Sequence, residues 1–432
     1  MGVSIRKLLD IGLAHVFGAY TLNKAVSFIS CFLLVRILSK TDYGYFSSAF
    51  NTYSFFNIFT GLGMLSAELL FCTENRESNE KKAIYRYTLV TGLIVDLFLA
   101  IILASYGYWG PISMRHTRIY IIMFSMLLCF EYFTQYLLCV FRTKKDNKSF
   151  SALSLINSVS YMFFSCGGAF VAGVSGTIFG RYFACLIVIV IGIARLGKLR
   201  TEVFNHNSLN SKLKKEIWNY SIKSGTTSFL NRVIYLIDVE LLSNLIANPD
   251  LVASYKFATL IPESISFIPQ AVIVTVMPYF IGNINNTTWI RTNTKRIMFY
   301  MGIFNLLITS SLIVFAPIII ALFGGERYED SIVYFRILSI SYFFLATFRL
   351  FGTNLLAVFR KVTFNIIAAT ITGILNLILD YYFIINYQGI GAALATVFSV
   401  VIGSFITFPY LIYVINHNKL NECVVSKNKG NT

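Results

Sequence analysis

Charge is scarce in this sequence. Asp, Glu, Lys and Arg make up 13% of its 432 residues, whereas a soluble globular domain carries roughly a quarter, so a soluble fold is excluded. Histidine is scarcer still: His15, His116, His206 and His417 fall in separate segments, too dispersed to converge on a metal ion. The cysteines (Cys31, Cys72, Cys129, Cys139, Cys166, Cys185 and Cys423) form no CxxC pair, and most lie in apolar stretches where a small thiol packs as a hydrophobe. Neither a disulfide nor a metal site is expected. The sequence has no phosphate-cradling Gly-rich loop of the Walker kind and no polar segment long enough for a nucleotide-binding domain. No cofactor is expected, and ATP hydrolysed by this chain is excluded as the energy source.

What is abundant is hydrophobic length. Apolar residues make up 56% of the chain and aromatics 16%, with a mean hydropathy of +0.67. A spanning helix needs roughly 20 mainly apolar residues, and runs of that kind occupy 12–37, 45–71, 84–106, 118–141, 150–172 and 176–198. Six more follow at 218–246, 253–282, 295–322, 331–358, 363–386 and 389–416. Without strict alternation these runs suit helices rather than barrel strands, predicting an all-α integral membrane protein with twelve spans. The first run carries Lys24 at its centre and ends in Val35-Arg36 with no small-residue cleavage site, so it reads as a retained helix and not a signal peptide.

Basic residues accumulate on the cytoplasmic face of membrane proteins. With the N-terminus inside, only Lys40, Arg115, Arg118 and Arg327 among the 36 basic residues fall in outside loops, eight lie within spans and the remainder are inside. Both termini are therefore expected in the cytoplasm. The formal charge of +16 is then mainly a topology signal and needs no nucleic-acid partner.

The longest polar stretch, LGKLRTEVFNHNSLNSKLKKE, follows the sixth span. It predicts an N-terminal lobe at 1–198, a cytoplasmic linker at 199–216, a C-terminal lobe at 217–416 and a cytoplasmic tail at 417–432. The two halves echo each other: AGVSGTIFGRYF between spans five and six parallels YQGIGAALATVF between spans eleven and twelve. An even number of spans per half makes the repeats parallel, as in transporters with a central site between lobes.

Polar stripes recur at helical spacing. Span seven carries Ser224, Ser228, Asn231, Tyr235 and Asp238; span eleven Asn365, Thr372, Asn376 and Asp380; span five Ser154, Ser158, Tyr161 and Ser165; span two Ser54, Asn57, Gly61 and Glu68. Helix packing explains small and hydroxylated residues on such stripes. Charges at depth are harder to explain that way, since each costs on the order of 2.5–3.5 kcal/mol at a helix centre. Eight are basic (Lys24, Arg36, Arg181, Lys223, Arg232, Lys256, Arg336, Arg349) and seven acidic (Glu68, Asp96, Glu131, Asp238, Glu240, Glu263, Asp380). Arg36, Arg181, Lys256, Arg336 and Lys223 lie near helix ends, within snorkelling reach of the interface. Lys24, Arg232 and Arg349 sit deeper and are the first candidates for cavity cations that meet an anionic substrate. The competing reading is ion pairing, of Lys24 with Asp96 or Glu131 and of Arg232 or Arg349 with Glu263 or Asp238. Asp96, Glu131, Asp238 and Glu263 qualify by position as carriers of a coupling proton or sodium ion.

Several stretches resemble the polysaccharide-transporter branch of the multidrug/oligosaccharidyl-lipid/polysaccharide (MOP) flippase superfamily. They are LVRILSKTDYGYFSSAFNTYSFFNIFTGLG at the opening, ASYKFATLIPESISFIPQAVIVTVMPYF with Pro262, Pro269 and Pro278, LFGGERYEDSIVYFRILSISYF, and NLILDYYFIINYQGIGAALATVFS. The resemblance covers nearly the whole chain. It implies a V-shaped, two-lobed MATE-like fold, in the bacterial inner membrane, that turns undecaprenyl-diphosphate-linked oligosaccharide repeats of O-antigen or capsule type from one leaflet to the other by alternating access. It implies as partners that lipid-linked oligosaccharide, the lipid bilayer, and a polysaccharide polymerase and chain-length regulator. One departure stands out: where members commonly have Asp followed by Arg in span seven, this chain reads Asp238-Val239-Glu240. The alternatives are a cation-coupled multidrug exporter of the same superfamily and a membrane-embedded polysaccharide polymerase or ligase. The longest outside loop, 105–117, holds only Arg115 and His116 as ionisable groups, which argues against an enzyme.

Overall fold

The computed structural model describes residues 13–74, 76–197, 209–232 and 234–417, which form helices joined by short turns. Most of the expected linker and the tail, 198–208 and 418–432, lie outside the described residues, as does the stretch before residue 13. The helices are α1 (Leu13–Ile37), α2 (Lys40–Asn57), α3 (Met64–Thr73), α4 (Ser78–Trp109), α5 (Arg115–Ser125), α6 (Leu127–Thr143), α7 (Asn147–Leu196), α8 (Ser211–Arg232), α9 (Ile234–Leu245) and α10 (Pro249–Ile265). They continue with α11 (Phe267–Gly282), α12 (Thr287–Val314), α13 (Ala316–Phe323), α14 (Ser331–Phe344), α15 (Leu350–Val358) and α16 (Val362–His417). Among the described residues, nine helical stretches are long and apolar enough to cross a membrane.

Two of those stretches are double. A straight α7 of 50 residues would hold residues sixteen apart at about 24 Å, yet a Cβ on Gly180 would overlap the carbonyl of Phe164, and one on Gly168 the carbonyl of Gly176. The chain therefore folds back on itself, at Ala172 (φ −141°, ψ 27°) and Gly173 (φ 57°, ψ −133°). The same happens in α16, where Gln388 takes φ 51° and a Cβ on Gly391 would overlap the carbonyl of Phe383. These two reversals fall in the two stretches that echo each other in sequence. In both, missing side chains let backbones touch, the usual way membrane helices gain contact when lipid and side chains are equally apolar.

The chain forms two compact units, Met1–Ala253 and Ser254–Thr432. The first unit thus extends beyond the expected linker to include α8, α9 and the first turn of α10. Polar contacts within the unit hold those elements: Thr41 Oγ1 donates to Asp250 Oδ1 at 2.6 Å, and Ser113 Oγ to the carbonyl of Asn244 at 2.7 Å. Its core gathers Met64, Phe71, Ile84, Leu89, Tyr132, Tyr136, Leu137, Phe141, Leu153, Val188 and Ile217 from α3, α4, α6, α7 and α8. The tyrosines enter this core with their hydroxyls satisfied: Tyr132 donates to the carbonyl of Thr88 at 2.6 Å and Tyr136 to that of Tyr85 at 3.0 Å. The second unit is built around Ile273, Phe280, Met301, Phe351, Leu355 and Leu411 from α11, α12, α15 and α16.

The polarity of α4 is inverted relative to a soluble helix. Ile94, Phe98 and Ile101, one face by their spacing, are 58–63% exposed, while Thr88 and Asp96 are fully buried. Such a helix is stable only where its outer face meets lipid.

Asp146 caps α7, accepting from the backbone N–H of Ser149 at 3.0 Å. Hydrogen bonds from Ser149 hold its carboxyl below the ordinary carboxylate range. Asp146→Ala is expected to cost about 1 kcal/mol, as for other N-caps. Since the folded group titrates below its unfolded value, that contribution is present at neutral pH and is lost as pH falls below about 4, which thermal unfolding of both variants across pH will show. Gly168→Val is expected to force the arms of α7 apart at a cost above the 1–3 kcal/mol of ordinary overpacking, read as loss of the monodisperse, detergent-solubilised protein.

Candidate functional site

The intramembrane cations separate into distinct environments. Arg181, expected near a helix end, is 4% exposed and enclosed by rings: its guanidinium carbon lies 3.9 Å from the centroid of Phe50, 4.6 Å from Tyr161, 5.5 Å from Phe46 and 5.6 Å from Phe124. It donates to the Tyr161 hydroxyl and is within electrostatic reach of Glu131. A guanidinium is weakly hydrated and stacks on aromatic faces, which is how this charge is held within the first unit. Lys24 is exposed, with Nζ 5.7 Å from the Tyr20 ring. Arg36 and Lys223 are exposed and have interactions of their own. Arg232 ends α8, but its side chain lies outside those described.

In the second unit Lys256 pairs with Glu263 along α10 at 3.7 Å. Glu263 is thus engaged by Lys256 and not by Arg349, as one of the expected pairings had it. Exposed Arg336 reaches back to the carbonyl of Ile313 at 3.2 Å. Arg349 ends a π-helical turn, Leu345–Arg349, of the kind often found at functional positions. It is half-buried and donates to Thr372 Oγ1 at 3.1 Å. Its guanidinium passes over Gly403, 3.5 Å from where a Cβ would stand. One hydroxyl partner leaves most of the guanidinium fork uncommitted to carboxylate, the state a bidentate anion site requires.

The acidic residues gather mainly in the first unit. Between α2 and α3 the helix breaks over Thr60–Gly63, with Gly61, Leu62 and Gly63 at φ 56°, 44° and 81°. Asp96 of α4 closes this break: its Oδ1 accepts from the Gly61 N–H at 2.7 Å. Beside it Asn57 Nδ2 donates to Glu131 Oε2 at 3.3 Å, and Thr60 Oγ1 to Asn57 Oδ1 at 2.6 Å. The Tyr132 ring fills the space where a Cβ on Gly61 or Gly92 would stand. Among the described residues no ion pair joins Lys24 to Asp96 or Glu131. Asp238 is buried and also has an interaction of its own.

Three further acidic groups, not chosen as site candidates from the sequence, are woven into the fold. Glu68 is fully buried and accepts from Thr88 Oγ1 at 2.8 Å. Glu240, in the stretch Asp238-Val239-Glu240 that departs from the resembled pattern, accepts from Asn51 Nδ2 at 3.2 Å, Thr52 Oγ1 at 3.0 Å and Asn244 Nδ2 at 3.2 Å. Asp380 Oδ2 accepts from Asn376 Nδ2 at 2.7 Å. The spacing Glu240–Asn244 and Asn376–Asp380 is one helical turn, a signal available in the sequence; the partners on α2 were not.

The sequence pattern of the family described as polysaccharide biosynthesis protein matches residues 12–282, and the chain belongs to that family. Comparison with curated protein sequences yields no match. Among solved structures, the chain is similar to the lipid II flippase MurJ in an inward closed conformation, at 16% identity and a TM-score of 0.73, covering 93% of this chain and 87% of that one. An inward-facing multidrug resistance MATE family transporter of the MOP superfamily matches at 14% identity and a TM-score of 0.70, covering 93% and 95%. A MOP superfamily transporter from Pyrococcus furiosus, described as having a binding pocket of reverse polarity, matches at 12% identity and a TM-score of 0.56, covering 94% of each chain. The fold is that of the MOP superfamily, as the sequence resemblance implied.

Glu240→Ala is expected to remove the side-chain acceptor shared by Asn51 and Thr52, which keep the carbonyls of Leu236 and Ser48 as partners, at about 0.5–1.5 kcal/mol for each bond lost. Glu240→Gln keeps an acceptor oxygen and should lose less. Thermal unfolding of the purified variants checks the order, and equal losses would show that charge, not hydrogen bonding, holds α9 to α2.

Proposed function

We propose that this member of the polysaccharide biosynthesis protein family is a flippase that moves undecaprenyl-diphosphate-linked oligosaccharide repeats, of O-antigen or capsule type, across a bacterial inner membrane. The observation that carries the reading is the family match over residues 12–282 on a chain whose fold is shared with a flippase of lipid II. On this reading the chain crosses the bilayer twelve times with both termini in the cytoplasm, α8 and α9 supplying the pass that the nine apolar stretches and their two reversals leave over. It works by alternating access between two lobes, and delivers its cargo to a polymerase acting with a chain-length regulator.

A diphosphate needs cations that are not already neutralised. Of the eight intramembrane candidates, Arg181 is enclosed by aromatic rings, Lys256 is paired with Glu263, exposed Arg336 donates to a backbone carbonyl, and exposed Arg36 and Lys223 have interactions of their own. Arg349 and Lys24 remain the best supported, with Arg232 retained by its position in the sequence. Arg349 is the stronger of the two described, because Thr372 orients its guanidinium while its other donors stay uncommitted to carboxylate. The shared fold of a MATE drug transporter does not favour drug export, since a fold accommodates several cargoes and the family match concerns polysaccharide biosynthesis.

Deleting the gene in its host should abolish surface polysaccharide and trap complete lipid-linked repeats in the cytoplasmic leaflet. Complementation with Arg349→Gln should restore the protein to normal amounts but not the polymer. Repeats that still reach the outer leaflet in the deletion strain would overturn the flippase reading and bring drug export forward.

A further inference from the structure

The first unit holds a carboxyl group whose surroundings are hard to reconcile with a permanent charge. Asp96 is fully buried, lies within an apolar spanning helix, and has the Gly61 N–H on Oδ1 as its hydrogen-bond partner. Oδ2 has no partner, and no lysine or arginine among the described residues pairs with it. An isolated anion in such a place is far costlier than a neutral acid. One proton on Oδ2 removes the charge and leaves the Gly61 bond intact.

The bond from Gly61 makes this more than a buried acid. Gly61 opens the break in which three successive residues, one of them Leu62, take positive φ. Such a backbone costs energy and persists only where its surroundings hold it. Asp96 and the Tyr132 ring are the groups that hold Gly61. When the proton leaves Oδ2 for water, the carboxylate that remains needs hydration or a second donor, and the break is the adjacent backbone able to admit either. The other ionisable groups facing Asp96 are Glu131, Tyr132 and Cys129, all from α6. Glu68 of α3 meets α4 two turns away, at Thr88. All of these groups are acids, so none can serve as a fixed counter-cation.

We propose that Asp96 is a proton-binding site that gates the helix break at Thr60–Gly63, closed when the carboxyl is protonated and open to water when it is ionised. Of the four acidic positions suited to ion coupling, the geometry selects this one, and it selects a proton because no cluster of three or more carboxylate, histidine or cysteine ligands able to hold a metal ion occurs among the described residues. The inference rests on the first unit alone and does not require the flippase reading.

Two measurements on the reconstituted full chain test it without any substrate. In infrared difference spectra between acidic and alkaline buffer, the band of a protonated buried carboxyl should shift with isotopically labelled aspartate. It should vanish in Asp96→Asn and survive in Glu68→Gln, Glu131→Gln and Asp238→Asn. In hydrogen exchange, the amides of residues 58–65 should open in alkaline buffer beyond the chemical rate in the wild type. In Asp96→Asn, which keeps an oxygen for the Gly61 N–H, they should stay protected by roughly tenfold, within the usual range of coupling between sites. A band that ignores the aspartate label, or survives in Asp96→Asn, overturns the proposal, as does equal opening of the break in both proteins. If Asp96→Asn does not accumulate, the isotope arm in the wild type, with Asp238→Asn as the control for the competing aspartate, decides.

Discussion

Lipid offers no hydrogen bonds, so every polar group this chain carries into its spanning helices must be satisfied by another part of the chain. Much of the structure follows from that constraint. Tyrosine hydroxyls of α6 are spent on carbonyls of α4, a carboxylate of α9 is spent on amide and hydroxyl groups of α2, and Asn305 on α12 is placed between Thr347 and Tyr342. Each pairing is also a weld between helices, because without water the alternative to pairing is an unsatisfied dipole. Hydrophobicity puts the helices in the membrane; the polar groups choose which helices touch.

The same constraint sorts the charges. Arg181 is tolerated because aromatic faces and a tyrosine hydroxyl replace its hydration, Lys256 because Glu263 is two turns away on the same helix. Glu240 is surrounded by donors from two helices. What remains after this sorting is a short set of groups whose fold-internal partners do not account for them. Arg349 has a hydroxyl where a guanidinium could hold an oxyanion, and Asp96 and Glu68 each have one donor, an amide and a hydroxyl, where a carboxylate needs more.

Four interruptions break the regular helical backbone. The break at Thr60–Gly63, the π-helical turn ending in Arg349 and the reversals at Gly173 and Gln388 are all places where backbone bonding is irregular. In a bilayer such irregularity is tolerated only inside protein or beside water. Asp96 bonds to the first of these and Arg349 ends the second, so both charged groups meet irregular backbone.

Much of this was legible in the residues. Length and hydropathy decide the class, since a run of twenty apolar residues has nowhere stable to be except a bilayer, and the echo between AGVSGTIFGRYF and YQGIGAALATVF marks the two chain reversals found at Gly173 and Gln388. The scarcity of charge made each buried charge conspicuous, and the resemblance in sequence identified the superfamily. Tertiary structure decided which of those charges are spent. Nothing along the chain brings Arg181 to Phe50 and Phe124, Glu240 to Asn51, or Asp96 to Gly61 across thirty-five positions. Helical periodicity assigns a residue to a face, whereas neutralisation depends on which other helix that face meets, and that pairing is a property of packing that no local pattern encodes.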